Sequence, residues 1–334
     1  MLSEYNIPVN KKTTAIVPLV SCPFRKAFTL FSSPRFFLLA FLLVAANSSY
    51  AAEVDVIKSK DTPPYTLMVK GFSESVKAGV AENDMGSSQE KGMLILKKIK
   101  SRKPDAIFTL GAEATYLAGN NIREIPVVFS MVSNSESHQM EGNNITGINL
   151  EISQEEQIGK LMEVMPGVRK IGTLYGEEKT KLFLDQIRPL LGRHGIKLIE
   201  ERISSTKDIP SAMERMLPEI DAFWLAFDSV VASSPRVVQE IIIFPALKNN
   251  IPVIGFNKWS VTAGALFCLY TEYEDIGRQA GKIVNRILNG VPPSSIPVES
   301  PENVKVLLNE KVMQRVGTKL KLEVPNNAYI WEGN

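Results

Sequence analysis

The chain has 334 residues, 44% of them hydrophobic, and sets 38 Lys and Arg against 36 Asp and Glu for a formal charge of +2. That length accommodates two domains with separate cores, and the balanced charge excludes the broad basic face that bulk nucleic-acid binding needs. The composition is neither that of a disordered chain nor that of a collagen.

Residues 1–52 differ in kind. Lys11, Lys12, Arg25, Lys26 and Arg35 face a single acid, Glu4, ahead of FFLLAFLLVAA (36–46) and NSSYAAE (47–53). A basic flank, a short apolar run and small residues describe a secretory signal cleaved near Ala51 or Ala52. The alternative is an uncleaved anchor, but eleven apolar residues are too few for about 30 Å of hydrocarbon. No Cys stands at the cleavage point for a lipid anchor. Cys22 would leave with the signal, so Cys268 remains alone and no internal disulfide is expected. In ALFCLY it reads as an inert core thiol rather than a nucleophile.

From residue 54 onward, short apolar runs alternate with amphipathic ones. Strands are predicted at 54–57, 105–110, 126–131, 169–175, 196–202, 221–227, 252–256 and 265–270. Helices are predicted at 66–77, 89–101, 112–121, 154–165, 179–194, 209–217, 236–249 and 274–288. Strands that do not alternate with polar residues belong to sheets covered on both faces. The βαβα order then predicts an α/β fold with parallel, right-handed, doubly wound sheets.

One phrase recurs. KPDAIFTLGAEAT is followed by IPVVFSMVS, and EIDAFWLAFDSVVAS by IPVIGFNKWS. Each time an Asp opens a buried strand, small and polar residues close it, a helix follows, and Ile-Pro opens the next strand. Pro loses no ladder bond at a strand's first position. Either any two βαβ units look alike, or the chain holds two similar lobes joined near 147–152.

In an open parallel sheet, ligands sit outside the carboxyl ends of the strands. The polar strand ends are Ser59-Lys60-Asp61, Gly111-Ala112-Glu113, Ser130 with Met131 and on to Asn134, Tyr175-Gly176-Glu177, Asp228-Ser229 and Asn257-Lys258-Trp259. A cleft between facing lobes would collect them all.

Catalytic signatures are missing from this set. His138 and His194 with one Cys make no metal site. There is no Gly-x-Ser-x-Gly elbow, and GTLYGEEKT (172–180) puts Glu-Glu where a phosphate loop has Lys-Thr. Glu177 and Glu178 fit a helix start better than a catalytic pair. Gly111-Ala112-Glu113 either admits an anionic ligand group to a helix start or merely turns the chain. Asp228 either caps the next helix through Ser229 and Val230 or accepts a ligand donor. Phe256 and Trp259 either stack on a ring or belong to the core.

Taken together, KPDAIFTLGAEAT, IPVVFSMVSN, GNNITGINL, MPGVRKIGTLYG, IDAFWLAFDSVV, NNIPVIGF and GALFCLYTEYEDIGRQAGKIVNRILNG give the chain a family likeness over about 54–321. It resembles the solute-binding proteins of ABC transporters whose better-known members take aromatic amino acids. The resemblance implies the type I periplasmic binding fold, two doubly wound parallel-sheet lobes joined by hinge crossings. It implies one lobe of 53–150 with about 272–292, and a second of 151–271 with about 297–334. Residues 273–288 should cross back to the first lobe and 304–308 return to the second, with Gly277 and Gly281 as packing points four apart on one helix face.

Extracytoplasmic capture of a small molecule and delivery to a membrane permease are likewise implied, without catalysis, cofactor, metal or nucleic acid, by a periplasmic monomer. The expected ligand residues are Ser59, Gly111, Ala112, Glu113, Ser130, Met131, Tyr175, Glu177, Asp228 and Phe256. Two departures leave the ligand open. Gly176-Glu177-Glu178-Lys179-Thr180 replaces the family's Asn-Pro, Glu and Asn-Ser, and Asn134-Ser135 replaces its Asp-Pro. A third, the short stretch 78–88, leaves little room for a second strand in the first lobe. Sensory signalling to a membrane kinase is the alternative role, and a periplasmic α/β hydrolase a remote one.

Overall fold

A computed structural model describes residues 51–133, 142, 144–326 and 328–333, with the backbone alone at 317–320. Residues 1–50 of the expected signal, His138 and the Asn134-Ser135 departure lie outside the described residues.

The first sheet alternates strand and helix as the sequence pattern predicts: β1 (Glu53–Lys58), α1 (Pro63–Ser75), β2 (Gly79–Asp84), α2 (Gln89–Arg102), β3 (Ala106–Leu110), α3 (Ala112–Asn121), β4 (Val127–Val132) and β5 (Ile145–Asn149). All its pairings are parallel, in the order β2-β1-β3-β4-β5. Side chains alternate between two buried faces. Val54, Val56 and Phe108 pack with Met68 and Phe72 of α1, while Ile57 and Ile107 pack with Ile95 and Ile99 of α2. Burial on both faces is why these strands read as unbroken apolar runs.

The second sheet begins after α4 (Gln154–Val164). It takes β6 (Lys170–Tyr175), α5 (Glu178–Arg193), β7 (Lys197–Arg202), α6 (Ile209–Met216), β8 (Ala222–Trp224), α7 (Phe244–Lys248), β9 (Val253–Gly255), α8 (Lys258–Thr262) and β10 (Phe267–Tyr270). The chain then forms α9 (Tyr273–Leu288), which packs on α1 in the first lobe, and returns as β11 (Lys305–Asn309), α10 (Glu310–Leu320) and β12 (Ala328–Trp331). The strand order is β12-β11-β10-β9-β8-β6-β7. Its first five strands in sequence, β6 to β10, therefore repeat the order of β1 to β5.

The repeated phrase is a repeated geometry. Ile107 N–H donates to the Pro126 carbonyl at 2.8 Å, and Phe223 N–H to the Pro252 carbonyl at 2.9 Å. The Asp that opens each unit takes main-chain N–H groups at the start of the neighbouring strand, Asp105 from Glu53 at 2.8 Å and Asp221 from Lys170 at 2.8 Å. That bond explains why an Asp recurs there.

Four features depart from the predicted elements. β2 does fit within 78–88, in register with β1 over Glu53–Lys58. It was hidden because GVAEND is a partly exposed edge strand without an apolar run. β11 runs antiparallel to β10, so the second sheet is mixed. The chain leaves the carboxyl end of β10, returns at that same end, and can only run the other way. β8 stops at Trp224 instead of 227. The helix predicted at 236–249 is a π-helix over Val237–Ile243 continuing into α7, where Pro245 has no N–H to give an α-helical bond.

Three segments link the sheets: 150–153, 271–272 and 297–304. α9 sits against α1 through glycines. A Cβ at Gly71 would fall 1.9 Å from the Glu274 carbonyl oxygen, and one at Gly277 would fall 2.0 Å from that of Met68. α9 also holds the third linking segment. Gln279 donates to Glu299 at 2.9 Å and accepts from Glu302 N–H at 3.1 Å, while Asp275 binds Asn303 at 2.6 Å and Lys305 at 3.1 Å.

Candidate ligand site

Both sheets reverse their winding at the same place, between β1 and β3 in the first and between β6 and β8 in the second. Such a switch point opens a crevice at the carboxyl ends of the strands. The links at 150–153 and 271–272 also leave from carboxyl ends, those of β5 and β10. The expected site residues fall on these two edges. Ser59, Gly111, Ala112, Glu113, Ser130 and Met131 lie on the first, and Tyr175, Glu177, Asp228 and Phe256 on the second.

On the first edge Gly111 is held by its neighbours. Its N–H donates to the Ser130 carbonyl at 2.9 Å, and its φ of +91° suits glycine. A Cβ there would come within 2.3 Å of the Tyr65 hydroxyl and 2.7 Å of Ser59 Oγ. Close approach and conformation both require Gly, beyond the simple turn the sequence also allowed. Ser59 Oγ accepts the Ala114 N–H at 3.0 Å, which caps α3 from another strand. Ser59 and Ser130 are buried, Ala112 and Met131 half-buried, and Glu113 exposed. Met131 has a φ of +60°, strained for a residue with a side chain, where the pairing of β4 with β5 shifts register.

On the second edge Asp228 is 1% exposed. One carboxylate oxygen accepts the N–H groups of Gly176 and Glu177, each at 2.9 Å, and the other accepts those of Val230 at 2.9 Å and Val231 at 3.2 Å. Burial pushes this carboxyl up. The Glu177, Gly176 and Val230 N–H bonds outweigh burial and hold it below its ordinary value. A carboxylate has about four acceptor positions, and the main chain takes four bonds here, so Asp228 shapes the loop.

Glu177 is tied across the same loop. It accepts from the Ser229 hydroxyl at 2.7 Å and pairs with Lys179 at 3.3 Å, and the Ser229 bonds lower its carboxyl. Tyr175 packs half-buried on the core. Phe256 tilts against Phe227 with centroids 5.4 Å apart, and Phe227 is 76% exposed.

Two residues on these edges escaped the sequence reading. Tyr65 lies just ahead of the helix predicted at 66–77, and the structure places it within α1, packed in the core. Phe227 was assigned to a buried strand, and the only available signal was its place just before the polar Asp228-Ser229. Cys268 is buried, which pushes its thiol up to about 12 and removes it as a nucleophile. Trp259 is 38% exposed in α8, outside the core.

Against known proteins, the profile of the family described as "ABC transporter substrate binding protein" matches residues 53–329. A tyrosine-binding protein of Clostridioides difficile (strain R20291) is 26% identical over 258 residues, 75% of this chain and 72% of its own. An uncharacterized protein of Rickettsia prowazekii (strain Madrid E) is 24% identical over 289 residues, 85% of this chain and 90% of its own. Among solved structures, the ligand-free, open form of a substrate binding protein with adhesive properties from Clostridium difficile superposes with a TM-score of 0.67 at 22% identity. That match covers 85% of this chain and all of the other, and it shows a shared fold. With its two doubly wound lobes and a family match through nearly all of the described residues, the chain belongs to the ABC transporter substrate-binding proteins.

Proposed function

We propose that this protein is an extracytoplasmic receptor that closes two lobes on a small solute and delivers it to a membrane ABC permease. The observation that carries the reading is the paired switch points. One strand order occurs twice, and polar residues gather at the carboxyl edges of both sheets. The basic and apolar leader supports export to the periplasm. No described helix is long and apolar enough to cross a membrane.

The ligand residues in this reading are Ser59, Gly111, Ala112, Glu113, Ser130 and Met131 from one lobe, with Tyr175, Glu177 and Phe256 from the other. Asp228 positions the loop that carries Glu177. The tyrosine-binding relative and the exposed Phe227 beside Phe256 favour an amino acid or similar solute with a ring or apolar body.

Native mass spectrometry of protein purified from the periplasm tests this. One small solute per chain is the expected result. A bare mass, unchanged after incubation with periplasmic extract, would refute it.

A further inference from the structure

The sequence of α2, QEKGMLILKKIKSR, sets five cations against one acid, Glu90. Gly92, Ile95, Leu96 and Ile99 turn inward. Close packing fixes that rotation, because a Cβ at Gly92 would stand 2.4 Å from the Leu117 side chain of α3 and 2.7 Å from that of Met85. The opposite stripe, Leu94, Lys97, Lys98 and Ser101 at i, i+3, i+4 and i+7, is exposed. Leu94 is 58% exposed and Met93 beside it 45%. Lys97 and Lys98 make no ion pair among the described residues, whereas Lys91 lies 3.7 Å from Asp84 and Arg102 is held by Asp55 and Glu53. On α9, by contrast, each cation has an acid: Arg278 has Glu74 and Asp275, Lys282 has Glu302, and Arg286 has Glu299.

We propose that the stripe of Leu94, Lys97 and Lys98, flanked by Met93, is a reversible docking surface for an anionic phospholipid bilayer. Lysines alone suit any polyanion. Leu94 and Met93 among them suit one with an apolar interior, because ammonium groups reach headgroup phosphates while apolar side chains enter the acyl boundary. Each lysine near an anionic leaflet strengthens binding about fivefold. The place in the fold agrees. Arg102 lies 3.6 Å from Glu53, the first residue of β1. The carboxyl half of α2 is therefore at the amino edge of the first sheet, away from the carboxyl edges that carry the candidate ligand residues. It is also beside the point where residues 1–52 join the fold, and in the export reading that leader holds the chain to the bilayer before cleavage. Docking through α2 leaves the ligand edges free and does not depend on solute capture.

The test is sedimentation of protein recovered from the periplasm with vesicles of phosphatidylcholine alone, or of equal parts phosphatidylcholine and phosphatidylglycerol. The protein should pellet with the anionic vesicles, stay in solution with the neutral ones, and be released by about 0.5 M NaCl. The double variant Lys97→Glu, Lys98→Glu should bind at least tenfold more weakly, and Leu94→Ser about threefold, with melting temperatures near that of the parent. No binding to anionic vesicles, or equal binding by the double variant, would overturn the docking surface. So would duplex RNA that competes with the vesicles while Leu94→Ser binds them like the parent, since the face would then read charge alone. Each of these failures leaves the receptor reading standing, because solute capture is read separately by mass.

Discussion

The carboxylate of Asp228, in the loop that follows β8, accepts the main-chain N–H of Gly176, just past the end of β6, at 2.9 Å. The two strands are neighbours, and the bond closes the switch point of the second sheet. With the Glu177, Val230 and Val231 bonds it fixes both loops of that edge through one buried side chain. Replacing Asp228 by Ala leaves these N–H groups unsatisfied. It should cost about 3 kcal/mol, read as a lower melting temperature, and weaken ligand binding through disorder of the Glu177 loop. Asp228→Asn keeps the shape and should lie between parent and Ala.

Acid should destabilise the protein through the same group. Asp228 and Asp275 are both held below the ordinary value of 3.8, the first by backbone N–H groups against burial, the second by Arg278 and Lys305 against burial. A carboxyl depressed in the folded state contributes stability that is complete above its unfolded value and is lost as pH falls through the lower folded one. Denaturant midpoints should therefore hold steady toward pH 5 and drop below about pH 4. In Asp228→Asn the drop should be shallower.

The contact of α9 with α1 admits no side chain at Gly277, where a Cβ would stand 2.0 Å from the Met68 carbonyl oxygen. Gly277→Val should push the helices apart at a cost of about 3 kcal/mol. Because α9 also carries Asp275 and Gln279, which hold the third link between the sheets, proteolysis within 297–304 should accelerate in the variant.

Phe227 is exposed and stacks only on Phe256 among the described aromatic pairs. Phe227→Ala should barely move the unliganded melting temperature, since exposed substitutions cost little. Affinity for a ring-bearing solute should fall about tenfold. Equal binding by Phe227→Ala would place the pair outside the site.

Much of the fold was legible. Central strands buried on both faces announce themselves as apolar runs, and Asp and Ile-Pro mark strand starts because each serves a specific bond there. What stayed hidden shares one physical cause, namely that short-range pattern does not report long-range pairing. β2 is a partly exposed edge strand without an apolar run, β12 is a partly exposed edge strand of only four residues, and the direction of β11 is set by where the chain returns from the first lobe. The same limit applied to the site. Strand ends pointed to the carboxyl edges of the two sheets, but Tyr65 reaches Gly111 from a helix distant in sequence, and DAFWLAFD does not say where its strand stops. Asp228 carried two readings in the sequence, and the main-chain partners of its two oxygens, which favour the capping one, are invisible there.

Small-angle scattering of the full chain, with and without the solute found bound to it, measures the central claim most directly. Capture between two linked lobes predicts a smaller radius of gyration and shorter maximum dimension once the solute saturates the protein. A saturated complex whose scattering curve overlays that of the free protein would contradict closure of the lobes on the ligand.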